Sequence, residues 1–210
     1  MARGTSCFLE SLRRRKTQTQ PFHHLLLEEA LPEETRRRIL ELPIDAAPIE
    51  AFPGQREGNN PTRVFFAPEQ CGQFPVCRDV VDTFLDSAVI AELESVCGIQ
   101  LGGNSLRIEY CQDREGFWLE PHCDIAVKLF TLLIYLTDPS GEDLGTDIYD
   151  DELRWARRAP YGPNLGLIFL PGKDTWHGFE PRPFRGTRHL LIVNYVTSDW
   201  RSRDELAGAV

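Results

Sequence analysis

The chain has no apolar run approaching the roughly 20 residues that a membrane-spanning helix needs. No apolar segment follows the basic residues near its amino terminus, so it reads as lacking a secretory signal. Its six cysteines, Cys7, Cys71, Cys77, Cys97, Cys111 and Cys123, include no CxxC pair. Scattered single thiols without an export signal suit a reduced, cytoplasmic protein and argue against cysteine-bound zinc. An excess of positive charge is also missing: 23 Lys and Arg face 32 Asp and Glu, for a formal net charge of −9. That balance speaks against a nucleic-acid surface, because phosphate contacts need clustered Lys and Arg. The one basic cluster, Arg13 to Lys16, reads as a solvated arm. Neither nucleic acid nor membrane is expected as a partner, and the oligomeric state is left open.

What is present suits one globular domain. At 210 residues, with 41% hydrophobic and 26% charged residues, the chain is long enough to bury a proper core. Residues 1–20 show little periodicity and read as a flexible amino-terminal arm; 21–200 form the domain, and 201–210 a tail. Pro21 to Leu31 (PFHHLLLEEAL) reads as a strand, and Pro32 opens a helix through Leu42, with Glu33 and Glu34 placed to complement its dipole. His23 and His24 are adjacent, so a strand turns them to opposite faces and a structural or surface role follows. Residues 43–77 are irregular, and 51–61 are long enough to make a lid. Residues 78–97 turn helical in two pieces, with Ser87 as a cap and Gly98 as a stop. Beyond Gly98 the pattern becomes short strands near 104–111, 116–124, 127–137, 145–149, 165–170, 175–180 and 187–196. The expected class is mainly β: an antiparallel sandwich with amino-terminal helices packed on one sheet.

The most informative stretch is FWLEPHCDIAVKLFTLLIYL, Phe117 to Leu136. In a strand, residues two apart share a face, so His122 and Asp124 present an imidazole and a carboxylate to one point. These are two parts of the 2-His-1-carboxylate set that holds non-haem Fe(II). Of the chain's five histidines, His177 in GKDTWHGFEP best fits as the third. Taken singly, His-x-Asp arises by chance, and a histidine beside Trp176 is as readily a packed core residue. Arg188 lies 11 positions after His177 on a strand whose alternation puts Arg188, Leu190, Ile192 and Asn194 on one face. A guanidinium opening an otherwise apolar face is costly unless it meets an anion, and its fork matches a carboxylate.

His-x-Asp, a distant His and an Arg about ten residues on together resemble the Fe(II)/2-oxoglutarate-dependent oxygenases, in particular their prolyl-4-hydroxylase-like branch. The similarity runs through PFHHLLLEEALPEE, EYCQDREGFWLEPHCD, KLFTLLIYL, LGTDIY, LPGKDTWHGF and RHLLIVNYV. It implies a double-stranded β-helix, or jelly roll, with His122, Asp124 and His177 as catalytic iron ligands. It further implies that Arg188 binds the distal carboxylate of 2-oxoglutarate, with Tyr135 on the same carboxylate and Tyr110 as another cosubstrate contact. Fe(II), 2-oxoglutarate and O2 are the implied cofactors, and the implied reaction is hydroxylation with release of succinate and CO2. The carboxylate of Asp124 favours oxygen transfer, since related halogenases replace that residue with a small one. Leu119 stands where prolyl hydroxylases often have tyrosine, and Asn194 where a bulky residue is often found, which puts a prolyl substrate in question.

Trp118, Asp147, Trp176 and Asn194 are the candidate substrate contacts, because aromatic walls with a few polar groups suit a small-molecule or peptide site. Each has a plainer reading as sheet core. A metal-holding jelly roll of the cupin sort, binding a ligand or sensing without turnover, is the alternative to a hydroxylase. Arg188 separates the two, since a site for metal alone has no need of a buried guanidinium.

Overall fold

The computed structural model describes residues 2–45, 53–55, 57–137 and 143–210. Hydrophobic alternation on the long strands builds it. In β4 (Ser105–Arg114), Leu106, Ile108 and Tyr110 turn one way, and Arg107, Glu109, Cys111 and Asp113 the other. In β11 (Thr187–Val196), Leu191, Val193 and Tyr195 share the first face while Arg188, Leu190, Ile192 and Asn194 take the second. Both faces are buried, so both strands are covered on two sides, the first by helices and the second by another sheet.

The larger sheet contains β1 (Lys16–Gln18), β2 (His24–Leu27), β9 (Gly166–Phe169), β6 (Lys128–Tyr135), β11, β4 and β12 (Leu206–Ala209), in that order; β3 (Arg63–Phe65) also pairs with β4. The smaller sheet runs β5 (Leu119–His122), β10 (His177–Phe179), β7 (Asp147–Tyr149), β8 (Trp155–Arg158). All the pairings are antiparallel. From β4 to β11 the chain alternates between sheets except at the β7–β8 hairpin, giving β4-β11-β6-β9 facing β5-β10-β7-β8, the order of a double-stranded β-helix.

Helices α1 (Arg3–Arg13), α2 (Glu33–Leu40), α3 (Pro68–Gln73), α4 (Pro75–Leu85) and α5 (Ser87–Cys97) pack on the outer face of the large sheet. There Phe8, Leu12, Val80, Val81, Phe84 and Leu93 meet Leu106, Ile108, Leu132 and Tyr195. At roughly 1.5–3 kcal/mol per large apolar side chain, this layer supplies the bulk of the fold's stabilisation. No helix among the described residues is long and apolar enough to cross a membrane.

Several expectations need correction. The amino terminus is not a flexible arm: Thr5, Phe8, Leu9 and Leu12 form a buried stripe on α1, and residues 16–18 extend the large sheet. The tail is a built part of the domain: Arg203–Glu205 form a 3-10 turn and β12 hydrogen-bonds to the edge of β4. Asp86, not Ser87, caps α5, its carboxylate accepting the Ala88 N–H at 2.9 Å. Gly98 does end that helix, in the left-handed region at φ 67°. Strand β8 was not expected, since WARR offers no apolar alternation. The candidate lid at 51–61 falls partly outside the described residues, at 51, 52 and 56. Of the remainder, Gly54 accepts the Glu120 N–H at 2.8 Å, and Glu57–Thr62 form a 3-10 helix.

Candidate metal centre

Register places the first two candidate ligands. Strands β5 and β10 pair so that His122 and His177 are direct partners, with ring centroids 4.3 Å apart. Gly178, one residue on, permits this: a Cβ there would lie 2.8 Å from the Leu119 carbonyl oxygen and 3.0 Å from that of Glu120. The chain then turns after β5 and brings Asp124 to the same point. One ligand atom from each of His122, Asp124 and His177 lies within 4.8 Å of the others.

The hydrogen bonds show which atoms face inward. His122 Nδ1 lies 2.9 Å from the Glu120 carbonyl oxygen, and His177 Nδ1 lies 2.9 Å from that of Thr175. A carbonyl can only accept, so each Nδ1 carries its proton and each Nε2 keeps a lone pair for a cation. Burial, followed by the neighbouring His122, pushes the His177 imidazole down to about 4, so it is neutral at physiological pH. Burial alone would raise the Asp124 carboxyl. The nearby Lys128 and His177, and hydrogen bonds from Lys128 and Thr131, overturn that and hold it well below the usual carboxylate range. Lys128 Nζ donates to Oδ1 at 2.6 Å and Thr131 Oγ1 to Oδ2 at 2.7 Å. Two imidazoles and one carboxylate, each oriented by a further partner, fit a divalent first-row transition metal and leave other coordination positions open.

Two cavities meet at these ligands. The inner one lies between the sheets and runs from His122, Asp124 and His177 past Thr131 and Leu133 to Arg63, Asp113 and Arg188. The outer one, of about 370 Å³, is lined by His122, Asp124 and Lys128 together with Arg107, Trp200 and Glu205.

Arg188 is 3% exposed and faces the inner cavity as its strand position implied. Its Nε donates to the Leu144 carbonyl at 2.7 Å and its Nη1 to Asp113 at 2.6 Å. Tyr135 also lies on the inner face, its ring 5.4 Å from the Arg188 guanidinium carbon. Its hydroxyl, however, donates to Thr146 Oγ1 at 2.8 Å and accepts the Thr146 N–H at 3.0 Å. Tyr110 does not reach the site. It lies on the helix-covered face of β4, with its hydroxyl 2.6 Å from His189 Nδ1.

The candidate substrate residues divide similarly. Asn194 shares the inner face and donates to Thr131 Oγ1 at 2.9 Å, so it stands behind the Asp124 partner. Asp147 does not face the metal. Its carboxylate ties together Arg158, Arg182, Trp155 and the Glu180 N–H, which makes it a structural hub of the small sheet. Trp176 adjoins His177 but lines neither cavity, as strand alternation dictates. Trp118 packs over Gly54, where a Cβ would fall 2.2 Å from the indole. Lys128, Asp113 and Arg63 were not anticipated. Their roles rest on cross-strand pairing, and only Lys128, four residues after Asp124, left a local trace.

No protein-family model and no curated protein matches the sequence, whereas solved structures do match the fold. The viral collagen prolyl hydroxylase of Paramecium Bursaria Chlorella virus-1 superposes with TM-score 0.58 at 16% identity, over 84% of this chain and 90% of that one. A Pseudomonas putida prolyl-4-hydroxylase gives 0.58 at 13%, over 92% and 93%. A prolyl hydroxylase from Trichoplax adhaerens, in complex with a hypoxia inducible factor oxygen degradation domain peptide fragment, gives 0.60 at 12%, over 92% and 89%. The fold is theirs.

Proposed function

We propose that the protein is an Fe(II)- and 2-oxoglutarate-dependent dioxygenase that hydroxylates a small-molecule or peptidyl substrate, releasing succinate and CO2. The observation that carries this reading is the trio His122, Asp124 and His177, with both Nε2 atoms turned inward, on a cavity that continues to a buried arginine. His122, Asp124 and His177 would hold the iron, which when bound supplies the redox chemistry that activates O2. Arg188 would anchor the far carboxylate of 2-oxoglutarate, and Tyr135 would act beneath it by packing and through Thr146. A cation bound by three facial ligands keeps three positions for cosubstrate and O2.

The protein's own contribution is orientation and exclusion of water. The Glu120 and Thr175 carbonyls fix the two rings, Thr131 and Lys128 fix the carboxylate, and Leu133, Leu190 and Ile192 keep the inner cavity apolar between its charged ends. The outer cavity, lined by Trp200 and Glu205 and reaching the candidate ligands from the other side, suits the substrate. The fold neighbours are prolyl hydroxylases, one of them with a peptide bound, which is consistent with a peptidyl substrate.

Anaerobic protein with Fe(II) and 2-oxoglutarate should develop a weak visible charge-transfer band. His122→Ala should abolish it, and Arg188→Ala should raise the 2-oxoglutarate concentration it requires. No band at saturating cosubstrate would overturn the reading.

A further inference from the structure

Arg188 does not stand alone in the inner cavity. Asp113 sits directly opposite it across β4 and β11, and Arg63 on β3 lies opposite Cys111, two residues from Asp113 on the same face of β4. One Asp113 oxygen accepts from Arg63 Nη1 at 2.7 Å and the other accepts from Arg188 Nη1 at 2.6 Å. The three side chains are 3%, 1% and 4% exposed, so this is a buried pair of cations against one anion. The next acid along β4, Glu109, is bonded by Arg107 rather than by Arg63.

The donors are not used up. Arg63 Nε is buried with no hydrogen-bond partner, although the guanidinium lines the same cavity as the metal ligands. A buried unmet donor is costly, and unpaired buried charge more so. Forked N–H groups left over at the end of a cavity call for an anion with two oxygens. Asp113 supplies one carboxylate to two forks, and there is room in the valence of both for a second.

We propose that the distal carboxylate of the cosubstrate is gripped by two guanidiniums, Arg63 and Arg188, with Asp113 as the positioning residue that holds them side by side. This rests on the dioxygenase reading and deepens it. Asp113 fixes both forks by giving one oxygen to each guanidinium. A 2-oxo acid lacking the far carboxylate does not depend on that grip.

The test uses the full-length protein with Fe(II), without oxygen, and follows the charge-transfer band against two acids, 2-oxoglutarate and 2-oxobutanoate. Both offer the same chelating end, but only the first has the distal carboxylate. Arg63→Gln should raise the half-saturating 2-oxoglutarate concentration by about tenfold or more, the worth of one charge-assisted hydrogen bond. The value for 2-oxobutanoate should stay the same. Asp113→Asn keeps only one acceptor oxygen for the two forks, so it should also raise the half-saturating 2-oxoglutarate concentration, shrink the rise in Tm that 2-oxoglutarate produces, and leave 2-oxobutanoate unaffected. Arg63→Lys keeps the charge without the fork, and should give an intermediate loss confined to 2-oxoglutarate even if the glutamine variant does not fold. Equal shifts for both acids, no shift, or tightened 2-oxoglutarate binding in Asp113→Asn would reduce the cluster to scaffolding and overturn the inference. If the unaltered protein gives no band with either acid, the dioxygenase reading itself falls, and this inference with it. A normal band that ignores Arg63 refutes only the inference.

Discussion

Asp124 would serve two cations in turn. In the protein alone its Oδ1 is bonded by the Lys128 ammonium, and the two side chains are 6% and 8% exposed. A metal arriving between the imidazoles competes with that ammonium for the same carboxylate. Lys128→Met should destabilise the metal-free protein by about 3–5 kcal/mol, the usual cost of stranding one partner of a buried pair. Divalent metal should recover most of that loss, because it binds the folded state alone and replaces the missing charge. Urea melts with and without Mn(II) check this; equal losses in both would show that Lys128 is tied to the fold and not to the metal. A second residue-scale expectation concerns pH. His177 is held near 4 by burial and then by His122, and burial lowers His24 and His189 in the same direction. The unfolded chain therefore takes up protons at these sites before the folded one does, so stability falls as pH drops from about 6.5 towards 4. For His177 alone the loss is about 3 kcal/mol across that window. Urea midpoints of metal-free protein at pH 7.5, 6 and 5 should decline in that order. A flat profile would mean that the imidazole is not buried neutral. The trio itself was legible in the sequence because His122 and Asp124 lie two residues apart and few histidines are available, although Asp124 falls in the turn after β5 and not on the strand. The Arg63–Asp113–Arg188 chain was not, since Asp113 acquires meaning only when β3 and β11 flank it.

At the scale of elements, the site depends on how closely β10 lies on β5. Gly178 sets that distance, with Leu119 and Glu120 backbone oxygens where its side chain would begin. Gly178→Ala should push the strands apart and pull His177 out of line with His122. The fold should survive, because β10 also pairs with β7, while metal affinity should fall by at least about tenfold, as ligand geometry is worth that much. Metal titration alongside circular dichroism decides it: unchanged affinity would show that the backbone contact does not set the ligand spacing. The same reasoning explains what sequence reading of the elements caught and missed. The long strands β4, β6 and β11 announce themselves by alternation. Helix α1 carried a valid period at Thr5, Phe8, Leu9 and Leu12, but basic residues on its other face and the charged run after it masked the stripe. Strands β8 and β12 are short edge strands without apolar–polar alternation, and pairing alone identifies them. Asp147 was misplaced for a related reason: on so short a strand as β7, the sequence does not tell which face looks inward, and Ile148 took the inner one.

The whole molecule separates stability from chemistry by layer. The large apolar core lies between the helices and the outer face of the large sheet, whereas the metal ligands and both cavities lie on the other side. The tail bridges the two: Arg107 lies between the Phe65 and Trp200 rings, at 4.7 and 4.5 Å, and bonds Glu205 at 2.6 Å, so residues 200–205 form a wall of the outer cavity. Damage confined to the helical layer should therefore lower stability without altering the site. Phe8 is a suitable probe: it is fully buried, and its ring meets Phe84 edge-on at 4.9 Å. Phe8→Ala should cost about 3–5 kcal/mol, combining lost transfer energy with the cavity left behind. Because the metal ligands share no contact with it, the two effects should add independently. Below its lowered melting temperature, the variant should bind Fe(II) and develop the charge-transfer band at the same 2-oxoglutarate concentration as the parent. A shifted concentration would mean that the helical layer sets the curvature of the large sheet, and through β4 and β11 the spacing of Asp113 and Arg188.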